Sequence, residues 1–134
     1  MQVKPILPIT EQDIIVETVV NTDTSAIASG SVVITDTATL TKRAVKLTTT
    51  ADSSLVRGIA LEDIPVGAER KIARSGIVSA KVQTGATAVA IGDKLGTSAN
   101  SGKLGLVTNN PVAIALQDVA ANTDTTIKVD VKSL

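Results

Sequence analysis

The sequence predicts an all-β fold: a small β-barrel or β-sandwich built from two pseudo-repeated halves, with an extended N-terminal arm. Three observations support this prediction. The 134 residues include 17 Val, 13 Ile and 18 Thr, and side chains branched at Cβ suit a pleated strand better than a helix. Short apolar runs alternate with turn residues along the chain. One of these runs also recurs at a constant spacing.

Ten runs have the length and composition of strands, and turn residues separate most of them. They are residues 13–20, 31–35, 44–47, 55–61, 70–73, 77–82, 86–91, 104–107, 112–116 and 125–131. The Ala-rich stretches 84–90 and 112–121 also have helical propensity. Alternation of period two favours a strand for 86–91, while a single helical turn stays open as an alternative for residues 118–121.

The internal repeat is the most specific feature of the sequence. Residues 58–64 (GIALEDI) match residues 113–119 (AIALQDV) at an offset of 55, and residues 26–33 resemble residues 88–95 at an offset of 62. At the first offset Gly67 corresponds to Asn122, and these two residue types tolerate positive φ best. We therefore predict equivalent turns at Gly67 and Asn122, and two halves at about 26–83 and 88–134.

Residues 1–11 differ from the β domain expected over residues 12–134. Prolines in this segment oppose a helix and keep it extended, and its apolar side chains are costly to leave in water. An edge strand or a frayed tail is the alternative interpretation. We expect an arm that binds a partner through Val3, Pro5, Ile6, Leu7, Pro8 and Ile9.

The composition excludes several classes of function. The chain has no Cys, His, Phe, Tyr or Trp, and its 13 basic residues balance 13 acidic ones. Thiol and imidazole catalysis and Cys/His zinc sites are therefore impossible, and binding to nucleic acid is not expected. No apolar run reaches the roughly 20 residues that span a bilayer, and the N-terminus does not resemble a secretory signal. We expect no cofactor, no metal, no membrane association and synthesis in the cytoplasm.

Three groups of residues could carry chemistry, and each has a simpler structural interpretation. Asp63 and Asp118 could form an acid/base pair, but both lie where a strand gives way to a turn, a place that favours Asp for its bonds to backbone N–H groups. Residues 96–103 resemble a phosphate-binding loop with the wrong spacing, which a hairpin explains equally well. Ser/Lys nucleophiles are formally possible, but no local pattern marks one. We predict no catalytic residue.

Charge is distributed unevenly along the chain. Residues 69–74 (ERKIAR) alternate as a strand with a basic outer face, which is either a solvated face or a contact for an acidic partner. Residues 1–67 carry 5 basic and 8 acidic groups, and residues 68–134 carry 8 and 5. A polarity of −3 and +3 could help identical subunits associate head to tail.

These motifs together resemble the small β-rich capsid decoration, or cement, proteins of tailed bacteriophages. The matching segments extend over about residues 12–132. They are residues 30–33 (GSVV), 56–64 (VRGIALEDI) with Gly67, 75–78 (SGIV), 90–95 (AIGDKL), 112–119 (VAIALQDV) and 127–131 (IKVDV). Two features depart from the pattern: Ala113 stands in the second copy where the first has Gly58, and the aromatic residues of many members are absent.

The resemblance implies a non-enzymatic virion protein that binds the outer surface of the expanded head and stabilises it. Its partners would be the major capsid protein and further copies of itself, commonly as a homotrimer, and residues 1–9 would supply the arm. A phage fibre or tail component is the alternative, although two copies suit a closed domain better than a long fibre. A Ser or carboxylate hydrolase is a third and weaker alternative.

Overall fold

The computed structural model describes residues 14–39 and 43–132, so the predicted arm lies outside the described residues. Within these ranges the chain forms nine strands and no helix, and hence no helix with the length and hydropathy needed to cross a membrane. The strands are β1 (Ile15–Asn21), β2 (Val32–Thr35), β3 (Ala44–Lys46), β4 (Val56–Ala60), β5 (Glu69–Gln83), β6 (Lys94–Thr97), β7 (Leu104–Leu106), β8 (Ala113–Ala115) and β9 (Asp124–Val131). The predicted all-β class is confirmed.

The first four strands and the first half of β5 form a five-stranded barrel. Neighbours pair in the order β1, β3, β2, β4, β5, and β1 also pairs with β5, which closes the circuit. The β1–β5 ladder is antiparallel and runs from Ile15 opposite Ser75 to Val20 opposite Glu69. The β1–β3 contact is parallel. Because the sheet closes on itself, none of these five strands is left as an open edge.

The second half of β5 and the remaining four strands close a second circuit. Here the order is β5, β7, β6, β8, β9, and β9 returns to β5 in an antiparallel ladder of eight residue pairs from Gly76 opposite Val131 to Gln83 opposite Asp124. The long strand β5 therefore belongs to both circuits. It changes its antiparallel partner from β1 to β9 between Ser75 and Gly76.

Two local predictions were wrong, one open alternative is not realised, and one strand was missed. Residues 70–73 and 77–82 form one strand rather than two, because Gly76 stays in the ladder with φ of 112°. Residues 86–91 form no strand: only Val89 makes a bridge, to Val119, while carboxylates take the N–H groups of Ala90 and Ile91. Residues 118–121 form no helical turn, and the strand at 94–97 was missed.

Two apolar clusters form the core. The smaller cluster consists of buried aliphatic side chains from the barrel strands and from the bridged pair Ile27 and Ile64: Val19, Ile27, Val33, Val45, Ala60, Ile64 and Ile72. A larger cluster includes residues of both circuits, from Val32 and Ile59 to Val129 and Val131. Neighbouring residues of β2, β4 and β5 alternate between the two clusters, because successive side chains point to opposite faces of a strand: the larger cluster contains Val32, Ile59 and Ala73, and the smaller one Val33, Ala60 and Ile72.

The same backbone hydrogen bonds occur in both circuits at the offsets of the sequence repeat. Ile27 and Ile64 exchange N–H···O bonds, as do Val89 and Val119, and the N–H of Gly30 donates to Ala60 as that of Gly92 donates to Ala115. These partners differ by 62 on one side and by 55 on the other. The origin of the two halves as a repeat stays a prediction.

Thr97 connects the end of β6 to the loop before β4. Thr97 is 1% exposed. Its hydroxyl accepts a hydrogen bond from the N–H of Ser53 at 2.7 Å and donates one to the carbonyl of Thr50 at 2.8 Å. We expect Thr97→Val to cost about 1–3 kcal/mol, because both backbone groups lose their partner. Urea unfolding followed by circular dichroism measures this cost. The exposed strand residue Thr126 is the matched control. If Thr97→Val lowers the free energy of unfolding no more than Thr126→Val does, the hydrogen bonds of Thr97 do not have the predicted stabilising role.

Candidate functional site

The repeated aspartates hold loops together. Asp63 accepts the backbone N–H of Ser29 at 2.8 Å, and Asp118 accepts that of Ile91 at 2.9 Å. The prediction that these aspartates bond to backbone N–H groups was right. The predicted partners were wrong, because the N–H groups belong to the facing segment and not to the residues that follow each aspartate. Both side chains are exposed, and each makes the same type of bond in its own circuit. The two aspartates therefore act as structural links between loops.

The two predicted turn residues adopt the left-handed conformation. Gly67 has φ of 78° and Asn122 has φ of 54°. The N–H of Gly67 donates to the carbonyl of Asn21, and that of Asn122 donates to the carbonyl of Gly85. Each turn is therefore hydrogen-bonded to a residue at or just after the end of a strand, β1 for Gly67 and β5 for Asn122.

The segment that resembles a phosphate loop is a hairpin. Residues 96 and 97 end β6, and residues 98–103 connect it to β7, with Thr97 opposite Leu104. An open groove of about 340 Å³ lies nearby between residues 83–87 and the β6–β7 turn, and its lining contains no ionisable side chain. Within the described residues, no three carboxylates come close enough to hold a metal ion.

The densest group of charges lies around Glu17 in β1. Arg57 of β4 donates from Nε and Nη2 to the two carboxylate oxygens, both at 2.7 Å. Arg43 and Arg74 approach the same oxygen, Oε2, at 3.7 and 3.9 Å. We call these four residues the Glu17 cluster. Three positive charges against one negative charge leave it a net charge of +2.

The Arg57–Glu17 pair has the geometry of a strong ion pair. The fork of the guanidinium matches the carboxylate, and the Glu17 side chain is only 10% exposed. The hydrogen bond from Arg57 lowers the pKa of Glu17 below its ordinary value of 4.5, against the opposing effect of burial. The same bond raises the pKa of Arg57. Glu17 is therefore ionised throughout the neutral range.

The basic strand predicted at 69–74 forms the first part of β5. Arg70 and Lys71 are exposed, Ile72 and Ala73 are buried in the core, and Arg74 is half-buried beside Glu17. Only Arg74 of this strand thus belongs to the Glu17 cluster. Sequence reasoning missed the cluster as a whole, since Glu17, Arg43 and Arg57 are far apart in the chain and no local spacing connects them.

The fold resembles that of a solved phage protein. The N base of the head fiber gp8.5 of bacteriophage phi29 superposes with a TM-score of 0.56, at 11% sequence identity, over 89% of this chain and 94% of that chain. At this identity the likeness concerns the fold alone. A search of curated proteins finds no match.

The sequence itself matches the phage cement protein family over residues 10–131. The match extends over both strand circuits and begins just after the apolar part of the predicted arm. It describes a phage structural protein that associates with the capsid, in agreement with the resemblance drawn from the residues alone. The chain belongs to the phage cement protein family.

Proposed function

We propose that this protein binds the outer surface of the expanded phage capsid and stabilises it without performing chemistry. The observation that carries the proposal is the family match over residues 10–131, which covers nearly the whole chain. The major capsid protein is the proposed partner, and the protein acts there as a homotrimer. Its place is the exterior of the virion.

A binding role needs little of the protein beyond a rigid domain with a contact surface. A ligand that binds only the expanded shell stabilises it by RT ln(1 + [L]/Kd) at each site, so many weak sites add up. Two closed strand circuits provide the rigid domain. The described carboxylates support this role better than hydrolysis, since Asp63, Asp118 and Glu17 are each engaged by backbone N–H groups or by arginine.

The arm is the proposed first contact with the shell. Residues 1–9 precede the matched segment and carry four apolar side chains, Val3, Ile6, Leu7 and Ile9, together with Pro5 and Pro8. Prolines reduce the entropy that an extended segment loses on binding. Burial of four aliphatic side chains would contribute roughly 1.5–3 kcal/mol each before that loss is subtracted.

Co-sedimentation with purified expanded heads tests the proposal. We expect the full chain to bind to saturation and to raise the temperature at which the heads release DNA, and a truncation lacking residues 1–11 to bind at least about tenfold more weakly, which corresponds to about 1.4 kcal/mol. Full-length Ile6→Ser/Leu7→Ser separates the loss of apolar contact from the loss of length. Bound protein is quantified on gels, because the chain has no aromatic residue to absorb at 280 nm.

The outcome that contradicts the proposal is a full chain that binds neither expanded nor immature heads. Binding to expanded heads with equal affinity of the truncation would leave the decoration role in place and remove the arm from it. Binding without any rise in the release temperature would remove the stabilising role.

A second candidate is the base of a head fibre. The observation that favours it is the fold shared with the N base of the phi29 head fiber over 89% of this chain. A fibre base presents further fibre components to the exterior, whereas a cement protein does not. Electron microscopy of decorated heads distinguishes the two: fibres that appear only when the protein is present would favour the second candidate.

A further inference from the structure

Each circuit contains one junction at which two strands run parallel. In the barrel the end of β1 lies beside β3, and in the second circuit the end of β5 lies beside β7. Two equivalent pairs align these junctions, Asn21 with Val45 and Val82 with Leu104. Two residues after each pair, Asp23 of the first junction corresponds to Thr84 of the second. Leu47 corresponds to Leu106 in the same way.

A carboxylate closes the first junction. Oδ2 of Asp23 accepts the N–H of Leu47 at 2.9 Å, and Oδ1 accepts that of Ser25 at 3.2 Å. The hydroxyl of Thr22 donates to Asp36 at 2.6 Å, which attaches the same segment to the residue after β2. The segment that follows β1 is therefore bonded to the strands beside it.

The second junction is open. Thr84 stands in the place of Asp23, and its hydroxyl is engaged by another loop. It donates to the carbonyl of Ala120 at 2.6 Å and accepts the N–H of Thr123 at 2.9 Å. The groove of about 340 Å³ lies at this junction, and Leu106, which is 43% exposed, lines it. Among the described residues no carboxylate lines this groove, so none takes the place of Asp23.

Leu106 presents a backbone donor on the groove side of β7. The N–H of Val107 donates to the carbonyl of Lys94 in β6. Because successive N–H groups of a strand point to opposite edges, that of Leu106 points away from β6. The side-chain amides of Gln83 and Asn100 line the same groove and can also donate. The groove thus offers N–H donors and lacks the acceptor that fills its counterpart.

The surface around the groove has the composition of an interface core. Residues 82–92 and 104–117 contain no charged side chain, and Ala86 and Leu106 lie exposed in the lining. The central part of a protein–protein interface is depleted of charged residues in the same way. The predicted arm does not supply an acceptor carboxylate, because residues 1–10 contain no acidic side chain. The acceptor is therefore expected from a partner.

We propose that this groove binds a short extended segment of the capsid protein, and that an aspartate of that segment accepts the N–H of Leu106. The bond would repeat the one that Asp23 makes to Leu47 in the first junction. This inference rests on the proposed function, since it names a second contact with the same partner. Hydrogen bonds between a carboxylate and backbone N–H groups are stronger than those between neutral groups, so one aspartate determines where the segment binds.

A bulky side chain in the groove tests the inference on the full chain. Gly85 lines the groove, and a Cβ atom added there would meet no atom within 4 Å, so Gly85→Gln fits the fold. We expect it to weaken binding to expanded heads by about tenfold or more. Ala88→Gln is the matched control, because Ala88 is exposed in the same segment and does not line the groove. We expect it to change the affinity by less than about twofold, and circular dichroism verifies that both variants fold.

A titration of the isolated protein tests the chemistry of the groove without heads. The probe is an acetylated and amidated peptide with the sequence of residues 21–26, NTDTSA, which carries Asp23 with its own neighbours. We expect this peptide to shift the backbone amide resonance of Leu106 in ¹H–¹⁵N spectra until it saturates. The same peptide with Asp23→Ala should bind at least about threefold more weakly, because the bond to the N–H group is lost.

Each outcome bears on the inference. Head binding that Gly85→Gln leaves unchanged, or that both glutamine variants weaken equally, would overturn the docking site while the decoration role stands. A Leu106 amide that ignores the peptide, or responds equally to its Asp23→Ala form, would overturn the aspartate as the acceptor. If the unmodified protein self-associates and Gly85→Gln separates it into monomers, the groove belongs to a second copy and the choice of the capsid protein is wrong. Failure of the unmodified protein to bind any head would overturn the proposed function and the capsid segment with it.

Discussion

Replacement of Gly58 by alanine is expected to destabilise the protein by about 3 kcal/mol, a large fraction of the stability of a domain this size. A Cβ atom at this position would overlap the carbonyl oxygen of Ala73 and lie 3.1 Å from Cδ1 of Ile72. The obstacle is backbone of the neighbouring strand β5, so a change of rotamer cannot remove it. The strands β4 and β5 must therefore separate at this point.

The second circuit supplies the control for this prediction. Ala113 has the pairing that corresponds to Gly58 and is fully buried without difficulty. We expect Ala113→Gly to cost about 1 kcal/mol, from lost burial of a methyl group and from backbone entropy. Urea unfolding followed by far-ultraviolet circular dichroism compares the two. If Gly58→Ala lowers the free energy of unfolding no more than Ala113→Gly does, β5 moves at little cost at this point and the prediction is wrong.

The Glu17–Arg57 pair is expected to show strong non-additivity. Arg57→Val should cost about 2–3 kcal/mol, because it leaves a carboxylate that is 10% exposed without its two bonds. Glu17→Val should cost less, roughly 1–2 kcal/mol, because the side chain of Arg57 is 28% exposed and can be hydrated. The double variant Glu17→Val/Arg57→Val should lie within about 1 kcal/mol of the unmodified protein, because neither charge of the pair is then left without its partner.

A double-mutant cycle from urea unfolding measures this coupling, which we expect to be about 2–5 kcal/mol. Additive losses would contradict it and would mean that the pair contributes no more than two independent side chains.

Acidification is expected to affect the unmodified protein more than the double variant. The pKa of Glu17 is lowered on folding, so the stability that it contributes is fully present above its ordinary value of 4.5 and is lost as the pH falls through the lower folded value. The double variant retains the acid sensitivity of Asp36, whose pKa is lowered chiefly by the hydroxyl of Thr22. Unfolding at pH 3 and pH 7 tests this: equal losses in both proteins would contradict the assignment.

Asp52 contributes to the acid sensitivity in both proteins. Burial by itself would raise its pKa, but the N–H groups of Asn109 and Asn110 hold the pKa below its ordinary value. These bonds, at 3.1 and 2.7 Å, connect the loop before β4 to the loop before β8. This link between the two halves should therefore weaken on acidification together with the Glu17–Arg57 pair.

The sequence by itself determined the class of fold and most of the strands. Branched residues in short runs between turn residues can pack only as strands, and the IALEDI-type repeat located the two loops that Asp63 and Asp118 hold. The absence of Cys, His and aromatic residues limits the functions that the chain can perform, whatever its fold. The alternation at 86–91 predicted a strand that does not form. Carboxylates, not a neighbouring strand, accept the backbone N–H groups of Ala90 and Ile91.

Only the tertiary structure decided how the strands close and which charges meet. Ser75-Gly76 has the local composition of a turn, yet β5 continues through it, because long-range ladders to β1 and β9 on either side outweigh the local preference. The Glu17 cluster brings together residues from four separate segments. The spacing of these residues along the sequence does not indicate that they meet in the fold. Strand pairing creates it, since burial of the apolar faces determines the register and the register determines which side chains become neighbours.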